Sequence, residues 1–84
     1  MDYRDVIQQT GSTFLAMRLD YVGGSNGQPL YQGWSMPGTL DSVPGWKITK
    51  FTFTGDGQVS GQLWASGTGE MTKVWNDRAS YIYS

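Results

Sequence analysis

From Ser12 to Val22 the apolar residues Leu15, Met17, Leu19 and Tyr21 fall on one parity, and Ala16, Arg18 and Asp20 fall on the other. Alternation with period two over this length predicts a half-buried strand. Gly23-Gly24-Ser25-Asn26-Gly27 then reads as a turn, because glycine and asparagine tolerate positive φ at low cost. A second strand is expected from about Pro29 to Ser35. Pro37-Gly38 and Pro44-Gly45 bracket a polar stretch, so 36–45 reads as a surface loop.

Trp46 to Thr54 is the clearest strand, yet its apolar positions change parity between Ile48 and Phe51. A bulge near Thr49-Lys50 is expected, since one extra residue there would return both halves to a common inward face. Thr54-Gly55-Asp56-Gly57-Gln58 has the composition of a hairpin turn. The returning strand, Gln58 to Ser66, is expected to pair antiparallel with Trp46 to Thr54. Glu70 to Trp75 fits a strand or a helical turn, Asn76-Asp77 a turn or a helix cap, and Ser80 to Tyr83 a closing strand. Tyr3 to Gln9 fits a short strand or an arm. About six short strands without an amphipathic helix predict an all-β fold, a small antiparallel β-sandwich or barrel.

Length and composition narrow this further. Eighty-four residues fit one core, because a second would leave each half too small to fold unaided. One β domain over 1–84 is expected, with 1–11 as a candidate N-terminal arm. Cysteine and histidine are both missing. That excludes disulfides, thiolate nucleophiles, imidazole bases and the zinc sites built from those ligands. A core of this size gives only ~3–5 kcal/mol of net stability, so dense packing, oligomerisation or docking has to supplement it. The twelve aromatic residues, Trp34, Trp46, Trp64 and Trp75 among them, bury ~150–250 Å² each when enclosed. Trp46, Ile48, Phe51, Leu63 and Trp64 are the expected core, and Trp75, Arg78, Tyr81 and Tyr83 the expected C-terminal closure.

A formal net charge of −1 supplies no positive field for a phosphate backbone, so no nucleic-acid partner is expected. No apolar stretch nears the ~20 residues that span a bilayer, and Met1 to Asp5 lacks the grammar of a signal peptide. A soluble chain made in a cytoplasm, with no membrane partner, is the expectation.

Catalysis would have to rest on carboxylates, cations, tyrosines and hydroxyls. Asn76-Asp77-Arg78 beside Tyr81 and Tyr83 is the densest such cluster. Its plainer reading is a turn capped by Asp77, with Arg78 packed along a ring and paired to a carboxylate. Asp41 and Asp56 sit on loops, and Asp-Ser and Asp-Gly are ordinary turn material, so a glycosidase pair is not expected. Lys50-Phe51-Thr52-Phe53 resembles the alternating aromatics that cold-shock proteins stack on bases. With only Lys47 and Lys50 nearby, buried phenylalanines are the better reading. Trp34 adjoins the Pro37-Gly38 loop and is the candidate sugar platform, against the alternative of a ring in the core or a subunit contact.

Three segments resemble, in order and spacing, small proteins encoded by tailed bacteriophages. These are Tyr31-Gln32-Gly33-Trp34-Ser35-Met36-Pro37-Gly38-Thr39, then Gly45-Trp46-Lys47-Ile48-Thr49-Lys50-Phe51-Thr52-Phe53, and finally Leu63-Trp64-Ala65-Ser66-Gly67 with Val74-Trp75-Asn76-Asp77-Arg78-Ala79-Ser80-Tyr81. In that family a Pro-Gly-Thr loop leads to a tryptophan-basic-isoleucine strand, and the chain closes on Val-Trp, an acidic turn with arginine, and an aromatic strand. The family often carries aspartate where Ser66 and Asn76 stand, so no role for those carboxylates transfers. The resemblance implies a virion component rather than a mechanism.

The expected function is therefore a non-enzymatic structural protein of a tailed phage particle, in head, neck or tail. It is expected to be a homo-oligomer that contacts other phage structural proteins and needs no cofactor and no metal. Tyr3, Trp34, Pro37, Tyr81 and Tyr83 are the candidate interface residues, with no catalytic residue assigned. The alternative is a host-surface glycan-binding module on a fibre or spike, read through Trp34.

Overall fold

The computed structural model describes residues 15–84. In chain order these form β1 (Ala16–Asp20), β2 (Tyr31–Ser35), β3 (Pro44–Phe53), β4 (Val59–Trp64), β5 (Lys73–Val74) and a 3-10 helix (Trp75–Ser80). Strands β1 to β4 lie side by side in chain order, each antiparallel to the next, and β5 pairs with the start of β3. The fold is all-β and antiparallel, with five strands in a sheet that does not close into a barrel. The expected segment Tyr3 to Gln9 lies outside the described residues.

Local chemistry accounts for the turns. Between β1 and β2, Ser25 and Gln28 exchange both backbone hydrogen bonds around Asn26 and Gly27, which have φ of 52° and 75°. Asn-Gly is the pair that accepts two successive positive φ values most cheaply. The Asn26 Nδ2 then donates to the carbonyls of Asp56 and Gly57 at 3.3 and 3.0 Å. This ties the first loop to the β3–β4 hairpin, itself closed by Thr54 N to Gln58 O at 2.8 Å and Gly57 N to Thr54 O at 2.9 Å.

Register sorts the side chains into two faces, since residues directly opposite in an antiparallel pair share a side. On the closed face, Arg18, Gly33 and Ile48 form one row and Asp20, Tyr31, Lys50 and Leu63 another. Over this face pack Trp75 and the C-terminal tyrosines. The core is Tyr31, Trp46, Ile48, Ala65 and Trp75, with Leu30, Tyr81 and Tyr83 against it. Gly33 is required there: a Cβ on it would lie 2.7 Å from the Trp75 ring. The other face carries the rows Met17–Trp34–Lys47, Leu19–Gln32–Thr49–Trp64 and Phe51–Gln62.

Three expectations need correction. A half-buried β1 read from its own pattern turns Met17 and Leu19 inward, but Met17 is 48% and Leu19 39% exposed, and Tyr21 beyond the strand is exposed too. Arg18 and Asp20 take the closed side, where aromatic rings and counter-charges receive them. The bulge expected at Thr49-Lys50 does not occur: pairing is regular through Thr52, and the register shifts between Thr52 and Phe53. Phe51 therefore faces away from Ile48, because the two faces of β3 both carry large side chains. Finally, the closing strand from Ser80 is reduced to one bridge, Ala65 to Tyr83, supported by hydrogen bonds from Trp64 and Ser66 to the C-terminal segment.

Candidate interaction surface

The closed face gathers the residues that sequence reading singled out as a chemical cluster. Arg78 donates from Nε to Asp20 Oδ2 at 2.9 Å and from Nη1 to the Trp75 carbonyl at 3.1 Å. Its guanidinium lies 4.6 Å from the Trp75 ring centroid, within the range of a cation–π contact. Arg18 sits 5.5 Å from the Trp46 ring and its Nε lies 3.2 Å from Asp41 Oδ1. That oxygen is enclosed yet makes no aligned hydrogen bond, so the contact is an ion pair only. Trp46 itself is fully buried and donates from Nε1 to the Leu40 carbonyl at 3.0 Å.

The tyrosines complete this closure. Tyr81 Oη accepts from Val74 N at 2.8 Å, and Tyr83 Oη donates to the Arg78 carbonyl at 2.7 Å. Burial pushes the Tyr83 phenol well above the ordinary tyrosine range, and the neighbouring Tyr31 and Tyr81 push the same way. Lys50 reaches over both Tyr31 and Tyr83, at 5.8 and 6.0 Å from the ring centroids. Asp77 is exposed in the first turn of the 3-10 helix, and its carbonyl accepts from Ser80 Oγ at 2.6 Å. The expected cap by the Asp77 side chain does not occur, since Val74 holds the N-cap position without a side-chain cap hydrogen bond, and the arginine and tyrosine contacts hold the chain end down.

The open face is different in kind. Trp34 and Trp64 lie 6.0 Å apart at 33°, both half-buried. The Lys47 ammonium stands 5.5 Å from the Trp34 ring centroid. The amide of Gln62 donates to Thr49 Oγ1 at 3.0 Å, and that of Gln32 points at Met17 Sδ at 3.0 Å. Thr49 is enclosed beneath them. The rows of this face mix Met17, Leu19, Trp34, Phe51 and Trp64 with Gln32, Thr49 and Gln62, and Lys47 is the one formal charge on them.

Of the residues expected at an interface, Tyr3 lies outside the described residues. Trp34 is half-buried on the open face, Pro37 is exposed in the turn after β2, and Tyr81 and Tyr83 are half-buried in the closure. They do not form one site. Of the expected core, Trp46 and Ile48 are fully buried, whereas Phe51, Leu63 and Trp64 are half-buried, Phe51 and Trp64 on the open side. Sequence reading put Met17 and Leu19 on the apolar side of a half-buried strand and gave Gln32 and Gln62 no role at a surface. Their signal was present in the parity of β1, but its meaning depends on which face gets covered.

A second exposed apolar feature is the loop after β2, where Met36, Leu40 and Val43 face outward. Its backbone is anchored: Thr39 N and Oγ1 both donate to the Met36 carbonyl, and Asn76 N donates to the Asp41 carbonyl. Among the described residues there is no pocket, no cluster of potential metal ligands, and no helix long and apolar enough to cross a membrane. Comparison with protein-family models, curated proteins and solved structures finds no match.

Proposed function

We propose that this chain is a non-enzymatic structural component of a tailed bacteriophage particle, in head, neck or tail, working through protein-protein contacts in many copies. The observation that carries the protein-contact part is the inverted side-chain pattern of β1. Its apolar parity lies on the face that the described residues leave open, while on its charged parity Asp20 is held in a shielded pair with Arg78 and Arg18 in an exposed pair with Asp41. Solvated sheet faces ordinarily alternate the other way, and contiguous exposed apolar patches mark interaction sites. The phage context comes from the resemblance of the three segments, Tyr31 to Thr39, Gly45 to Phe53 and Leu63 to Tyr81. Mass spectrometry of purified particles tests it: the protein is expected at many copies per particle, and its absence from them would refute the reading.

A glycan-binding module is the second reading, favoured by a half-exposed Trp34 on the same face as Gln32 and Gln62. Lys47 and Trp64 already occupy the space around the Trp34 ring, which weighs against a free sugar platform. Glycan-array binding lost on Trp34→Ala would support this reading over the first.

A further inference from the structure

We infer that Asn26 is a site of spontaneous covalent modification, where attack by the Gly27 backbone nitrogen expels the side-chain amide, and that contact with the β3–β4 hairpin holds this reaction back. The inference stands apart from the phage reading and concerns the end of the sheet where two turns meet.

The reaction needs a nucleophile beside a carboxamide with little in its way. Gly27 follows Asn26 directly and carries no side chain to hinder the approach of its nitrogen. Among the described residues that nitrogen donates no hydrogen bond, whereas the flanking Ser25 and Gln28 amides bond to each other's carbonyls. The Gly27 nitrogen gives its proton to solvent base and bonds to Cγ of Asn26. The Cγ–Nδ2 bond breaks, and Nδ2 takes up a proton from solvent and leaves as ammonia. Water then opens the cyclic imide at either carbonyl. One product carries aspartate in place of Asn26, and the other is its isomer, in which the chain runs on through the side-chain carboxyl and gains a backbone carbon. Water is the only co-reactant, and nothing is oxidised or reduced.

The atom that must leave is the atom the fold holds. Asn26 Nδ2 donates to the carbonyls of Asp56 and Gly57 at 3.3 and 3.0 Å. The hairpin tip presses close here: a Cβ on Gly57 would lie 2.5 Å from Ser25 Oγ and 2.9 Å from Asn26 Nδ2. Ring closure makes Cγ tetrahedral and swings Nδ2 out of the amide plane, so both hydrogen bonds have to be given up before ammonia departs. The reaction therefore draws on a released state, populated about tenfold or more below the held one. Asn76, the other asparagine of the chain, precedes a residue whose side chain crowds its own backbone nitrogen, and it sits within the 3-10 helix.

Modification turns the contact from attractive to repulsive. A carboxylate accepts hydrogen bonds and donates none, so it meets the carbonyls of Asp56 and Gly57 as one more acceptor, with a negative charge. The isomer lengthens the backbone between Ser25 and Gln28, whose paired hydrogen bonds fit the two-residue turn. Either product separates the β1–β2 turn from the β3–β4 hairpin, a slow and irreversible loosening of one end of the sheet.

Peptide mapping by mass spectrometry tests this on the full-length chain kept in mildly alkaline buffer, folded or unfolded in guanidinium chloride. Conversion is expected at Asn26 before Asn76, and about tenfold or more slower in the folded chain than in the unfolded one. Gly57→Ala, which pushes the hairpin tip off the amide, is expected to speed conversion in the folded chain by about threefold or more. The comparison of folded with unfolded chain decides the matter without that variant if it does not fold. Asn26→Asp reproduces one product, and amide hydrogen exchange at Ser25, Gln28 and Gly57 is expected to quicken by about tenfold in it, with the Ile48 amide unchanged. No conversion at Asn26 in the unfolded chain overturns the inference, as does equal conversion folded and unfolded, or conversion at Asn76 first. Unchanged exchange at all three amides in Asn26→Asp overturns the link between the two turns.

Discussion

Arg78 and Asp20 lie 58 positions apart in the chain and form an ion pair of 2.9 Å, joining the first described strand to the final turn. Asp20 stands opposite Tyr31 at the edge of the closed face, and Arg78 covers the Trp75 ring. The pair is mostly shielded, with side-chain exposures of 27% and 17%, so removing one partner strands the other in a region of reduced dielectric. Arg78→Ala and Asp20→Ala are each expected to lower stability by about 1–3 kcal/mol in urea denaturation. Arg78→Lys should recover less than half of the Arg78→Ala loss, since a lysine cannot reach Asp20 and the Trp75 carbonyl in one planar fork. The double variant is expected to lose less than the sum of the single losses.

Gly33 is the point where the sheet and its cover come closest. Gly33→Ala would place a methyl carbon 2.7 Å from the buried Trp75 ring, and that ring is held by Trp46 at 5.9 Å and by Arg78. Displacing it is expected to cost about 1–3 kcal/mol. Near-ultraviolet circular dichroism should report the moved tryptophan, and an unchanged spectrum with unchanged stability would contradict the packing.

The two faces should respond differently to truncation. Ile48→Ala empties a fully buried site and is expected to cost about 2–5 kcal/mol. Leu19→Ala, on the open face, is expected to cost about 1 kcal/mol or less. Equal losses at the two positions would mean that Leu19 is inside the domain.

Alkaline pH should expose the Tyr83 closure. The folded-state value of this phenol is raised above the ordinary 10.0, chiefly by burial. The fold therefore favours the neutral form. That contribution is fully present below the unfolded value of ~10 and is lost as pH rises past it towards the folded one. The denaturation midpoint is expected to fall as pH rises above about 10, and to fall less in Tyr83→Phe. At neutral pH the same variant loses the hydrogen bond to the Arg78 carbonyl, at about 1 kcal/mol.

The strand and turn pattern was legible residue by residue. Asn26-Gly27 and Thr54 to Gln58 announce their turns through backbone preferences that act within four or five residues, and Trp46 and Ile48 stand out as core because a β-rich run with large apolar side chains has to enclose some of them. The all-β class follows from such local preferences. Two other features do not. Period two says that β1 has two unlike sides, but either side satisfies the pattern, and the choice depends on strands and turns far along the chain. Here Trp75, Arg78 and Tyr83 arrive from the chain end and cover the side bearing Arg18 and Asp20, where Trp46 offers Arg18 a ring and Arg78 offers Asp20 a counter-charge. The same long-range packing leaves Phe51 and Trp64 on the opposite side, where parity within β3 was first read as a bulge. Local sequence thus sets which segments are strands and where they turn. Contacts across more than fifty residues set which face becomes the core and which the described residues leave uncovered.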